Sequence, residues 1–286
     1  MLTENDVIQA YLNLFDREPE NSEVITKWMN ICKDNQTLNK ALMSSKEYRK
    51  KTPKTITFHF GFHKTGTTSI QTWLELNKRH ILNNAYVYNL HNGSSNPLKF
   101  ACNNFELGNG QLKAIDNVCS IMKDQIDSFR QNNIIYTDET TLGLPLGFST
   151  RNKDYTQSDV YPISPILLDQ ILSNFTEYKV NVIVMVRQYD NWLKSIWNQM
   201  FKQSSFDGGF DDFKKEFMRE RNLDTVSSEL KSISNKFSNV TFYSLQFEKE
   251  FETNDVKDFN FFKICQIPSE VLSKCTTSLT VENKSI

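Results

Sequence analysis

Apolar residues recur with two different periods along this chain, and the change of period divides it. Near the start the spacing is helical. Val7, Ile8, Tyr11, Leu12 and Leu14 mark one helix, Glu20 to Cys32 a second with Asn21 as its cap, and Leu38 to Tyr48 a third. A short basic linker around Lys50 to Lys54, containing Pro53, follows. Beyond it, short runs of β-branched and aromatic residues alternate with helical stretches. ITFHFGF, AYVYNL, NNIIYTDET, the apolar run from Val180 to Val186 and VTFYSL read as strands. Between them lie a helix with Ile70, Trp73, Leu74 and Leu76 on one side, an amphipathic helix from Gln111 to Arg130, and a helix from Leu167 to Phe175. Further helices carry Trp192, Ile196, Trp197 and Met200, then span Phe210 to Arg221 and Thr225 to Phe237. LHNGSSNPLKFACNNFELGNGQ reads as a polar loop, and Thr140 to Pro165 as a long loop over the site that the sheet presents. The alternation predicts an α/β fold, a parallel sheet flanked by helices, preceded by a small all-α module. The domains expected are residues 1–52 and 53–286.

Composition narrows the partners. With 33 Lys and Arg against 34 Asp and Glu, the net charge of −1 gives no electrostatic case for nucleic-acid binding. The five Cys (Cys32, Cys102, Cys119, Cys265, Cys275) form no C-x-x-C pair, so neither a zinc site nor a disulfide framework is indicated. The four His have no metal-ligand spacing. The N-terminal MLTENDVIQAYLNLF lacks the basic-plus-apolar pattern of a signal peptide, and no apolar run reaches the length of a membrane span. A cytoplasmic enzyme with no integral membrane segment is the expectation.

The densest chemical signal is FHFGFHKTGTTSIQTWL, residues 58–74. A strand runs into a turn holding Gly61, His63, Lys64, Thr65, Gly66, Thr67 and Thr68, and the turn opens a helix. The unpaired N–H groups and the dipole at a helix start attract anions, and the threonines add hydroxyl donors. Gly61 and Gly66 have the spacing of a G-x-x-x-x-G-K-[ST] loop, but Thr67 stands where that loop has Lys, and the Lys here, Lys64, comes two residues before Gly66. Such a loop is poorly equipped for ATP hydrolysis yet can hold a 5′-phosphate bearing a further anionic group. The plainer alternative is an ordinary Thr-rich βα turn.

HKTGTTSIQ resembles the 5′-phosphosulfate loop of the sulfotransferase superfamily, especially bacterial sulfotransferases and heparan sulfate N-sulfotransferases. The resemblance implies a P-loop-like α/β fold and transfer of a sulfuryl group from 3′-phosphoadenosine 5′-phosphosulfate to a hydroxyl or amine, without a metal. It implies that Lys64 meets the bridging oxygen and the 5′-phosphate, and that Gly66, Thr67 and Thr68 donate to that phosphate, with His63 and Thr65 beside them. The family's 3′-phosphate site is a strand ending in Arg with a Ser eight residues later on the next helix. Arg187 and Ser195 in NVIVMVRQYDNWLKSIWNQMFK have that spacing. Gln188 and Tyr189 depart from the Pro that often follows the Arg. Taken alone, an Arg and a Ser at this spacing are also common in plain structural roles.

Transfer also needs a base on the acceptor side. The resemblance points to the segment after the first helix, where His91 lies. Glu139, at the carboxyl end of a strand, is the rival, and open α/β sheets place their sites at such ends. Each also has a bland reading, a solvated loop histidine and a cap or loop carboxylate, and Asp138 is read as structural. AYLNLFDREPE, KWM and SSKEY resemble a small helical repeat found beside glycosyltransferases and in bacterial surface proteins. That resemblance implies a carbohydrate or glycoconjugate acceptor and a possible docking partner, against a plain packing extension. Two other classes stay open: a P-loop nucleotide-dependent kinase, and a catalytically degenerate nucleotide-binding or docking protein.

Overall fold

The computed structural model describes residues 2–43, 45–51, 53–88, 96–144, 160–202, 207–252 and 255–275. The chain forms two compact units, Met1–Lys54 and Thr55–Ile286.

The first unit holds helices at Glu4–Phe15, Ser22–Ile31, Asn35–Met43 and Lys46–Lys51. Thr3 and Asp6 cap the first reciprocally, and the Asn21 side chain accepts from the Val24 N–H at 3.0 Å to start the second. Sequence periodicity predicts one helix from Leu38 to Tyr48, where two are found. Ser45 Oγ accepts from the Tyr48 N–H at 3.2 Å and so begins a new helix within that stretch. Val7, Tyr11, Phe15, Leu38 and Leu42 form the buried centre of this unit. Arg17 pairs with Glu20 and Glu47 and lies over the Tyr11 ring at 5.4 Å.

The second unit is built on strands β1 (Thr55–Gly61), β2 (Tyr86–Tyr88), β3 (Asn133–Asp138), β4 (Lys179–Val186) and β5 (Val240–Gln246), all five parallel and in the spatial order β2-β3-β1-β4-β5. Parallel strands are buried on both faces, which is why β4 reads as a largely apolar run. Alternate residues serve two cores. Phe58, Phe60, Tyr136, Val182 and Val184 face the helices Leu112–Ser128, Ser164–Ser173 and Leu223–Ser234. Ile135, Ile183 and Met185 pack instead with Ile70, Trp73 and Leu74 and with the C-terminal Phe261 and Phe262.

Polar groups also lie on that second face, from β1, from β3 (Asn133, Thr137) and from β4 (Asn181). Thr57 and His59 are fully buried there; His59 Nδ1 lies 2.9 Å from Thr137 Oγ1, and its ring stands edge-on to Phe261. Burial holds the His59 pKa down at about 3.

The order of strands places a switch point at the carboxyl ends of β1 and β4. The connection from β1 leads to β2 at one edge, and the connection from β4 leads to β5 at the other. A crevice opens at such a point, and ligands of open α/β sheets bind there.

Two segments differ from the sequence reading. Pro97–Glu106, read as loop, is a helix: Asn96 accepts from the Lys99 N–H at 3.2 Å, Pro97 occupies the first turn, and Leu98, Ala101 and Cys102 are buried. The helix expected from Leu167 begins a turn earlier, at Ser164, with Pro165 in its first turn.

Candidate functional site

The loop after β1 is shaped by close contacts. A Cβ at Gly61 would lie 1.6 Å from Thr67 Oγ1, so the strand end and the helix start approach through the missing side chain. Lys64 has φ 64° and Gly66 φ 84°, both left-handed. For a residue with a Cβ, this conformation costs roughly 1–2 kcal/mol, and such outliers cluster where a ligand is gripped.

Three successive carbonyls of this loop are tied to other parts of the protein. Phe62 C=O accepts from the N–H and hydroxyl of Thr65, at 3.3 and 2.5 Å. His63 C=O accepts from Trp192 Nε1 at 2.8 Å, and Lys64 C=O from Arg187 Nη1 at 3.1 Å. The N–H groups are left over: those of Lys64, Gly66, Thr67 and Thr68 donate to no described residue. Thr67 Oγ1 is buried without a partner among the described residues. A run of tied carbonyls and unclaimed N–H groups at the start of the Thr67–Leu76 helix has the donor chemistry that suits an anion.

Arg187, immediately after β4, stands over this surface. Besides its bond to Lys64 C=O, its guanidinium lies 4.6 Å from the centre of the Phe247 ring, and Nε is 3.7 Å from Glu248 Oε1. Burial lowers the Arg187 pKa, and Glu248 opposes that. Ser195 is buried on the following helix, Tyr189–Lys202, and its hydroxyl makes no hydrogen bond to a described residue. The two phosphate motifs of the sequence, 123 positions apart at Lys64 and Arg187, thus meet through one hydrogen bond.

His63 is held from the side. Its N–H donates to Tyr161 Oη at 2.9 Å, and its Nδ1 lies 3.0 Å from the same hydroxyl. Desolvation, with Lys64 and Lys99 nearby, holds its pKa at about 3, so the ring is neutral at pH 7 and can donate but does not serve as a base.

On the other side is the end of β3. Asp138 Oδ1 accepts from the Thr140 N–H and from the hydroxyls of Thr140 and Thr141, and Oδ2 from Asn96 Nδ2 at 3.0 Å. Its lone pairs are spent on the turn, the structural role read from sequence. Glu139 makes no such bond to a described residue. Burial raises its pKa, Asp138 raises it further, and Lys99 and Lys64 pull it down. Burial lowers the Lys64 pKa, Glu139 opposes this, and Lys202 and Arg187 add to it. Lys64, Glu139 and Arg187 therefore share one electrostatic neighbourhood. His91 lies outside the described residues.

Several residues of this site escaped the sequence reading. Lys99 rides on the unforeseen Pro97–Glu106 helix, for which Asn96-Pro97 was the available signal. Tyr161 sits in the segment read as loop. Phe247, Glu248 and Phe251 lie just beyond β5, and no local pattern marks them.

Fold and site together define an α/β protein with a strand–turn–helix, rich in N–H groups that donate to no described residue, at the switch point of a parallel sheet. No protein-family model matches the chain, and no curated protein matches it in sequence. Among solved structures it is similar to the crystal structure of a sulfotransferase from Alicyclobacillus acidocaldarius, at 12% identity over 80% of this chain and 84% of that one, with a TM-score of 0.42. Among the described residues no helix is long and apolar enough to cross a membrane.

Proposed function

We propose that this chain is a sulfotransferase that moves a sulfuryl group from 3′-phosphoadenosine 5′-phosphosulfate to a hydroxyl or amine of a carbohydrate or glycoconjugate. The observation that carries the reading is the loop of unclaimed N–H groups at Lys64, Gly66, Thr67 and Thr68, tied to Arg187 through the Lys64 carbonyl. One group of donors suits a 5′-phosphate, and a guanidinium held beside it suits a second phosphate on the same nucleotide. The buried, partnerless hydroxyl of Thr67 fits a donor with many acceptor oxygens.

In this reading the loop N–H groups and the hydroxyls of Thr67 and Thr68 orient the 5′-phosphate, with His63 at their side, while the Thr65 hydroxyl braces the loop by donating to the Phe62 carbonyl. Arg187 and Ser195 hold the 3′-phosphate. Lys64 neutralises charge on the bridging oxygen as the sulfur–oxygen bond to phosphate breaks and the bond from sulfur to the acceptor forms. Glu139, whose charge is felt at Lys64, takes the acceptor's proton. The product left on the loop is adenosine 3′,5′-bisphosphate. The carbohydrate class of acceptor, a docking role for the N-terminal unit and a cytoplasmic location rest on the sequence reading alone.

The test is thermal stabilisation. Adenosine 3′,5′-bisphosphate should raise the melting temperature by mass action, and ATP and adenosine 5′-monophosphate should do so less. Equal shifts from the bisphosphate and the monophosphate would remove the 3′-phosphate role of Arg187 and Ser195. Transfer from labelled donor to a panel of glycans should proceed in chelator, whereas a kinase would need magnesium.

A further inference from the structure

Between β5 and the Asn260–Ile264 helix lies a short helix, Phe247–Glu250, that the reaction as derived does not use. It touches both phosphate motifs. The Phe247 ring carries the Arg187 guanidinium at 4.6 Å and also borders Gly66, where an added Cβ would meet its Cε2 at 2.8 Å. Glu248 grips the other side. Both its carboxylate oxygens accept from the Gln188 N–H, at 3.3 and 3.4 Å, and Oε1 stands 3.7 Å from Arg187 Nε. Arg187 Nε makes no hydrogen bond among the described residues. The guanidinium is thus fixed on three sides: Nη1 on the Lys64 carbonyl, one face on Phe247, and Nε opposite Glu248.

We propose that Glu248 is a positioning residue for the second phosphate site, holding Arg187 so that its remaining edge meets the 3′-phosphate. This inference rests on the proposed role of Arg187. The competing idea is that a carboxylate beside an anion-binding arginine simply repels the ligand. Distance and geometry favour positioning. The carboxylate is anchored to the backbone of the residue next to Arg187, and it faces Nε, the edge turned away from the Nη1 contact with the loop. A long, flexible side chain that is part-exposed loses rotamer freedom when it binds phosphate, and a fixed counter-ion lowers that cost.

Isothermal titration of the full chain with adenosine 3′,5′-bisphosphate and adenosine 5′-monophosphate separates the two. Glu248→Gln keeps the volume, and its amide oxygen can still accept from Gln188. It should weaken the bisphosphate about fivefold, the scale of a part-exposed ion pair, and leave the monophosphate unchanged. In an Arg187→Ala background it should have no further effect, which a general structural role would not produce. Tighter or unchanged bisphosphate binding in Glu248→Gln, an equal loss for both nucleotides, or a loss that adds to that of Arg187→Ala overturns the inference. A wild-type chain that fails to prefer the bisphosphate takes down the assignment of Arg187 and this inference with it. A wild type that prefers it, with an indifferent Glu248→Gln, overturns the inference alone.

Discussion

Gly66→Ala tests the packing of the loop most directly. Gly66 has φ 84°, and a Cβ there would stand 2.6 Å from Phe251 Cε2, 2.8 Å from Phe251 Cζ and 2.8 Å from Phe247 Cε2. The left-handed backbone costs alanine about 1–2 kcal/mol. Forcing two packed rings aside adds roughly 1–3 kcal/mol, the usual range for overpacking. The two rings have little slack: their centroids are 4.7 Å apart, and Phe251 is edge-on to Phe259 at 5.3 Å. The sum is a loss of about 2–5 kcal/mol in unfolding free energy, readable as a lower midpoint in urea at unchanged slope. Because Phe247 also supports Arg187, the same variant should lose preference for adenosine 3′,5′-bisphosphate over the monophosphate. A variant within about 0.5 kcal/mol of wild type, the range of ordinary surface changes, with its nucleotide preference intact would refute the close packing of loop and aromatic helix described above.

Three further outcomes follow from the site and its surroundings. Lys64→Ala should lower turnover by about a hundredfold or more while donor affinity falls much less, as single-turnover kinetics would show; weaker binding with unchanged turnover would reduce Lys64 to an anchor. Glu139→Gln should cost roughly 10² to 10⁴ in rate and abolish the acidic limb of the pH–rate profile, with His91→Ala mild; the reverse pattern assigns the base to His91. Glu106, buried with both oxygens accepting from the Leu144 N–H, is pushed from 4.5 up to about 7 by desolvation. The native state then holds this proton more tightly than the unfolded chain, so stability falls as pH rises from 4.5 to about 7. The cost levels off at about 3 kcal/mol above that window. Glu106→Gln should therefore be more stable than wild type at pH 8 and equal to it near pH 4, and an equal or lower stability at pH 8 contradicts this.

The legible parts of the molecule are those whose information is local. β1 stands out for its β-branched and aromatic residues and β4 for its apolar run, and the turn between Gly61 and Thr67 because few other uses gather a Lys, a Gly and three Thr at a helix start. Arg187 and Ser195 were found only by their spacing; that Arg187 reaches the Lys64 carbonyl is a fact of strand order, β4 lying beside β1, which no stretch of sequence states. Phe247, Glu248 and Phe251 were missed for the same reason, since their partners are Gly66 and Arg187 rather than chain neighbours. The helix from Pro97 was missed for another: polar NGSSN and GNG flanks outweighed its few apolar positions, although Asn96 and Pro97 signalled its start.

The contact between Gly61 and Thr67 has a consequence for how this loop can change over generations. A side chain at position 61 cannot enter while Thr67 keeps its hydroxyl, because Oγ1 occupies the place of the new Cβ at 1.6 Å. Shortening Thr67 does not make room either, because its Cβ would still stand 2.8 Å from the new atom. A side chain at position 61 therefore requires the backbone of the strand end and the helix start to separate, so the geometry of the whole turn hangs on the absence of one carbon.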